Sequence, residues 1–230
     1  MIPYKDLNSP RSFPWMTLLL ILINIAVFGY QITLPQTASI PFLYQYAAIP
    51  LEFKLGQNLL KSIGPPPVFT LMTAQFLHGG LLHLLGNMLY LWIFGNTVES
   101  QTGRMRFLFF YLLCGVCSIL FQVYANFSSR IPIIGASGAI AGVLGAYMRY
   151  SPRAKIGVFV PIFYFLRSVI LPAWLVLGGW FLLQVISARF SHLQETSGEA
   201  YYAHIGGFIV GLVLFPAFQI MRQKRQRKRS

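Results

Sequence analysis

One serine, three histidines and an asparagine stand out in a chain otherwise poor in polar groups. Ser137 lies in Gly135-Ala136-Ser137-Gly138, His204 in Ala203-His204-Ile205-Gly206-Gly207, and His78, His83 and Asn87 in the stretch 78–87. A serine hydroxyl is a weak nucleophile until a base accepts its proton. A neutral imidazole has an acceptor nitrogen and a pKa near neutrality, which makes His204 the candidate base. Acyl transfer also needs hydrogen-bond donors where an oxyanion develops. His83 and Asn87 are four residues apart, so they share a helix face, and both can donate. Ser137 stands close to a helix start, where backbone N–H groups and the dipole favour negative charge. A nucleophile (Ser137), a base (His204) and an oxyanion site (His83, Asn87, the Ser137 N–H) are therefore all available. No cofactor is expected.

Each residue also has a plain structural reading. A serine inside a membrane helix usually bonds its own backbone, Gly-x-Ser-Gly alone is a weak pattern, and a single histidine in a span is often a packed, satisfied side chain. A metal site built from His78, His83 and His204 lacks a carboxylate at the same depth. The five-residue spacing of the first pair also splays it around a helix. The weight rests on convergence, and so on the elements that carry these residues.

Those elements are membrane helices. Of the 230 residues 56% are hydrophobic and 10% charged, against about 25% charged in a soluble domain. A span needs about 20 mainly apolar residues. Six stretches approach this: 15–32, 81–98, 107–127, 133–148, 168–188 and 200–221. The expected fold is an all-α, six-transmembrane-helix bundle forming a single membrane domain over 1–230, with a basic tail at 222–230. The first apolar stretch reads as an uncleaved span, since no small-residue cleavage site follows closely. The broken apolar pieces Ala38–Phe53 and Ile156–Leu166 are expected to be loops in the interface. The connection between the first two spans exceeds ordinary loop length and should have a task.

The net charge of +13, with 18 Lys and Arg against 5 Asp and Glu, is explained by topology. With the N-terminus in the cytoplasm, only Lys54, Lys61, Arg130 and Arg189 fall on the other side, as the positive-inside rule requires. Membrane lipids are therefore the expected partner of the basic tail, and nucleic acid is not. Cys114 and Cys117 lie within an apolar run and read as packing residues.

The same topology makes the even-numbered helices run inward from the outer face. His78, His83 and Asn87 stand at the start of the second, Ser137 of the fourth and His204 of the sixth. At 1.5 Å per residue, all lie roughly 5–10 Å below one surface. Gly138, Gly142 and Gly145 thin the fourth helix, and Gly207 and Gly211 form a small-xxx-small pair on the sixth. Close approach of these helices is what a Ser137–His204 hydrogen bond requires. Ser118 and Gln122, four apart on the third helix, are candidates to line a water route or to bond between helices. Glu99 is expected to bond nearby loop N–H groups or Arg104.

These residues resemble the rhomboid proteases. The resemblance is carried by His78-Gly-Gly-Leu-Leu-His83-Leu-Leu-Gly-Asn87, Gly135-Ala-Ser137-Gly138 and Ala203-His204-Ile-Gly-Gly207, and also by Gly95-Asn-Thr-Val-Glu99 followed by Gly103-Arg104. It runs from about Phe69 to Leu214, and the compact six-span form is similar to bacterial members. It implies a serine endopeptidase with a Ser137–His204 dyad and no acid, an oxyanion held by His83, Asn87 and the Ser137 N–H, and support from His78, Gly135, Gly138 and Gly207. Implied substrates are transmembrane proteins, cut in or near their helices, in a bacterial plasma membrane with both termini cytoplasmic. The fifth span and the Ser191–Ala200 loop would act as gate and cap. Two positions depart from the family pattern. Phe69-Thr70 stands where a Trp-Arg pair is frequent. Ala141 replaces an aromatic residue that stacks on the base, a task left to Tyr201 or Tyr202. An inactive relative that only binds transmembrane helices, and a channel or transporter, are the alternatives. The second would predict charged residues at mid-depth, and the six spans hold none there.

Overall fold

The structure, a computed structural model, describes residues 1–59, 64–162, 165–190 and 200–227. Five of its helices are long and apolar enough to cross a membrane: α1 (Trp15–Thr33), α5 (Leu81–Thr102), α6 (Arg104–Ala125), α8 (Ala173–Phe190) and α9 (Tyr201–Arg227), the last over Tyr201–Gln219. At 1.5 Å per residue, 18 to 22 residues reach about 27–33 Å, which matches the hydrocarbon core. Leu19, Leu22 and Ile25 on α1 and Leu182, Leu183 and Ile186 on α8 point outward. Such exposed apolar faces suit lipid, and the chain is an integral membrane protein.

The remaining expected span is shorter than 133–148 suggested and lies deeper in the bundle. Helix α7 (Ser137–Tyr150) has 14 residues, and every residue from Gly138 to Tyr147 is buried. A helix of about 21 Å is too short for the hydrocarbon core. It is tolerated because protein surrounds it, and irregular backbone at membrane depth is stable only where protein or water covers it. The glycines make that enclosure possible. A β-carbon on Gly207 would run into the Gly138 carbonyl, and one on Gly145 into the Phe208 carbonyl.

The segment between the first two spans is folded rather than a plain loop. It contains α2 (Gln36–Tyr46), α3 (Pro50–Leu55), α4 (Pro67–Thr73) and a 3-10 turn at Ala74–Phe76. Its task is to hold the chain that leads into α7. Ala48 and Ile133 exchange both backbone hydrogen bonds, at 3.2 and 2.8 Å, and the Gly135 N–H donates to the Ala74 carbonyl at 2.9 Å. Of the Phe69-Thr70 pair, Phe69 is exposed, whereas Thr70 is buried and its hydroxyl bonds the Pro67 carbonyl.

A three-stranded antiparallel sheet was not foreseen. β1 (Ile2–Asp6) pairs with β2 (Lys155–Ile162), which pairs with β3 (Phe165–Pro172). Ile156–Leu166 is therefore mostly strand, and the fifth expected span, α8, starts at Ala173 rather than Ser168. Val, Ile and Phe suit a pleated surface, and Pro161 sits beyond the reach of β1, which ends its pairing at Phe159. Asp6 docks the sheet on α5 by accepting the Thr97 hydroxyl at 2.9 Å. Glu99, nearby on α5, accepts the Met16 and Thr17 N–H groups and the Thr17 hydroxyl at 3.0, 2.8 and 2.8 Å. It thereby satisfies the open first turn of α1 with a negative charge. Arg104 instead lies over the Trp15 ring. The sheet thus closes the end of the bundle opposite the start of α5.

Candidate active site

Ser137 is the first residue of α7, with Ala136 as cap residue. Its N–H therefore has no carbonyl one turn back to bond. The preceding Gly135 has φ +117°, a conformation that side chains disfavour. A β-carbon there would also stand 2.9 Å from Cε1 of His83. Glycine at this position lets the His83 imidazole lie beside the serine.

His204 enters one turn inside α9, and its own N–H bonds the Ala200 carbonyl at 3.2 Å. Because α7 and α9 approach through glycine, the two candidate side chains meet. His204 Nε2 is 2.8 Å from Ser137 Oγ. Its other nitrogen, Nδ1, is 2.8 Å from Gln184 Oε1 on α8. An amide oxygen only accepts, so Nδ1 carries the proton, which leaves Nε2 as acceptor for the serine hydroxyl. The Trp180 ring, one turn before Gln184, lies 5.9 Å from the His204 ring at 41°. Trp180 thus supplies an aromatic neighbour to His204 that Ala141 cannot. Ala141 itself is buried near Gly207.

On α5, Asn87 is buried and His83 opens to the cavity. Asn87 Nδ2 lies 3.0 Å from His78 Nε2, and His78 Nδ1 lies 3.3 Å from the Phe76 carbonyl. The carbonyl requires the proton on Nδ1, so Nε2 accepts from the Asn87 amide. One amide hydrogen of Asn87 is held this way and the other remains for the cavity. Burial and the neighbouring His83 hold the His78 pKa down at about 4, so it stays neutral and keeps this role at ordinary pH. Gln31 at the end of α1 clamps the His78 backbone, donating to its carbonyl at 3.2 Å and accepting its N–H at 3.0 Å. His83 Nδ1 accepts the Gly79 N–H at 3.5 Å, and its Nε2 stands 3.0 Å from where a β-carbon on Gly135 would lie.

Ser137, His204, His83, Asn87, Gln184 and Trp180 line one cavity of about 590 Å³. Helix α5 contributes Leu82, His83, Gly86, Asn87 and Tyr90, α7 contributes Ser137, Ile140 and Leu144, α8 contributes Trp180 and Gln184, and α9 contributes His204. Its wall is mainly apolar with a few convergent polar groups, the usual composition of a binding site. Ser137, His204, His83 and Asn87 are thus brought to one cavity, and His78 reaches it through Asn87. Gly138 and Gly207 act through backbone contact. The expected cap at Ser191–Ala200 lies, apart from Ala200, outside the described residues.

Ser118 and Gln122 do not line the cavity. Ser118 is buried and bonds the Gly115 carbonyl at 2.7 Å, whereas Gln122 accepts the Ala203 N–H at 3.1 Å and so fixes the start of α9. Gln184, Trp180 and Gln31 were missed from sequence. A glutamine within a lipid-crossing stretch is a costly placement, and that signal marks Gln184.

Residues 65–219 match the family described as Rhomboid domain. Similar relatives include Rhomboid protein 1, mitochondrial, of Saccharomyces cerevisiae, 30% identical over 90% of this chain and 54% of its own length. Presenilin-associated rhomboid-like protein A, mitochondrial, of Danio rerio is 33% identical over 62% of this chain and 35% of its own. Rhomboid protease GluP of Bacillus subtilis is 44% identical over 61% of this chain and 24% of its own. The chain spans about half the length, or less, of the curated relatives it matches. With the matched region containing α5 to α8, α9 as far as Gln219 and every polar side chain that lines the cavity, this chain belongs to the rhomboid family.

Proposed function

We propose that this protein is an intramembrane serine endopeptidase that hydrolyses peptide bonds in or near transmembrane segments, with Ser137 as nucleophile and His204 as base. The observation that carries the reading is the 2.8 Å contact between Ser137 Oγ and His204 Nε2 at the head of an apolar-walled cavity. Ser137 Oγ attacks the scissile carbonyl as His204 Nε2 takes its proton, and the imidazolium then protonates the leaving amine. The Ser137 N–H, His83 Nε2–H and the second Asn87 amide hydrogen hold the oxyanion. A water activated by His204 then releases the acyl group.

The substrate is a transmembrane protein. Its chain reaches Ser137 between α5 and α8, both of which line the cavity. A helical peptide bond is shielded by its own hydrogen bonds, so segments that unwind readily are cut best. The protein resides in a bacterial plasma membrane with its termini cytoplasmic. The gathering of Lys5, Arg11, Arg104, Arg106, Arg149 and Arg153 on segments at the sheet end supports the cytoplasmic side for the termini.

The test is cleavage of a transmembrane test substrate by purified protein in liposomes, beside Ser137→Ala and His204→Ala. Cleavage by the parent alone is expected. Equal cleavage by the Ser137→Ala variant would remove Ser137 from this role. A folded parent that neither cleaves nor reacts with a fluorophosphonate would favour a relative that binds transmembrane helices without cutting them.

A further inference from the structure

We infer that Gln184 is a positioning residue for the base: its amide oxygen holds the His204 proton on Nδ1 and stabilises the imidazolium formed when Ser137 is deprotonated. This rests on the dyad reading above. The geometry is that of a relay in which a neutral amide stands where other serine hydrolases place a carboxylate. Nδ1 of His204 is 2.8 Å from Gln184 Oε1, and Nε2 is 2.8 Å from Ser137 Oγ. A neutral imidazole has two tautomers, and only the one protonated on Nδ1 can accept the serine proton. Without a partner on Nδ1 both forms are populated, and part of the enzyme presents an Nε2–H that cannot act as base.

The amide is itself well placed to do this. Gln184 and Trp180 are four residues apart and so share one face of α8, and both meet His204. The ring is thereby fixed in rotation by Trp180 and in tautomer by Gln184. Gln184 is half-buried at the cavity wall rather than facing lipid. Among the described residues lining the cavity, the other titratable side chains are His83 and Tyr90 of α5, and no carboxylate, lysine or arginine is present. From α6, the group packed near the start of α9 is the neutral Gln122. Gln184 is therefore the cavity-lining side chain whose replacement by a carboxylate places a charge directly on His204.

The test is the rate at which a fluorophosphonate labels Ser137 as a function of pH, for the parent, Gln184→Leu and Gln184→Glu in detergent micelles. In labelling, the Ser137 Oγ–P bond forms, the P–F bond breaks with loss of fluoride, and the serine proton passes to His204. This reads activation of the nucleophile without any protein substrate. Gln184→Leu should lower the plateau rate by about tenfold, the scale of one hydrogen bond, and move the acid limb to lower pH. Gln184→Glu should move the acid limb to higher pH by about one unit or more, as an adjacent carboxylate favours the imidazolium. Both variants should keep the parent's thermal unfolding midpoint within a few degrees. Rates in both variants that fall with the acid limb unmoved, or rates that do not change, would overturn the inference. A folded parent that is not labelled at Ser137 would instead overturn the dyad itself, and the inference with it.

Discussion

Gly211 of α9 faces the backbone of Gly142 of α7 with no room for a side chain between them. A β-carbon on Gly211 would collide with the Gly142 carbonyl oxygen and stand 2.5 Å from its carbon and 2.6 Å from its Cα. Backbone cannot move aside as a flexible side chain can, so the helix pair that carries Ser137 and His204 depends on this contact.

Gly211→Leu should therefore push α9 from α7 and separate the dyad. Overpacking costs about 1–3 kcal/mol when neighbours can adjust, and the loss here should reach the upper end or exceed it. Unfolding in mixed micelles together with fluorophosphonate labelling checks this. A variant as stable and as readily labelled as the parent would show that the helices can separate without harm.

Asn87→Ala should reduce kcat by 10²–10³, about 3–4 kcal/mol of transition-state stabilisation, with a small change in KM. The amide is held by His78 at 3.0 Å and lines the cavity with its second hydrogen free for the oxyanion. Steady-state cleavage kinetics of the variant decide the matter, and a kcat within twofold of the parent would take Asn87 out of the oxyanion site.

His78 makes stability depend on pH. Its folded pKa of about 4 lies below the ordinary value of 6.5 because burial, reinforced by His83, disfavours the charged ring. Between these values the unfolded chain binds a proton that the folded chain does not, so stability falls as the pH drops. The contribution is complete above about pH 6.5 and is lost on approaching pH 4. The unfolding midpoint should decline over that window in the parent and decline less in His78→Gln. Parallel declines would assign the pH dependence to other groups.

Glu99→Ala should destabilise the fold by about 3 kcal/mol, because two N–H groups and a hydroxyl at the start of α1 lose a charged acceptor. Glu99→Gln should cost less, since one carbonyl oxygen remains. Chemical unfolding of the two variants provides the comparison, and equal losses would point to packing rather than to the acceptor.

Much of the site was legible because lipid makes polar residues expensive. Ser137, His83, Asn87 and His204 could be placed at one depth from helix order and the rise per residue alone. Their partners were not legible in the same way. Whether Gln184 meets His204 depends on the rotation of helices about their axes, and whether His78 meets Asn87 on how the chain enters α5. Spacing along the chain carries no such information between helices. Ser118 and Gln122 could line a water route or bond between helices by their spacing; Gln122 does bond α9, at the Ala203 N–H, whereas Ser118 bonds its own helix at the Gly115 carbonyl.

The sequence by itself determined the membrane setting, the order and approximate bounds of five membrane-length helices, and which residue types carry the chemistry that acyl transfer would need. Each follows from local hydrophobicity, charge and residue chemistry. Only the tertiary structure decided that α7 is a short helix enclosed by its neighbours, that residues 2–6 pair with residues 156–159 in a sheet, and that α8 places both an aromatic ring and an amide against His204. These features arise from contacts between segments far apart in the chain, whose free energy is realised only when the bundle closes.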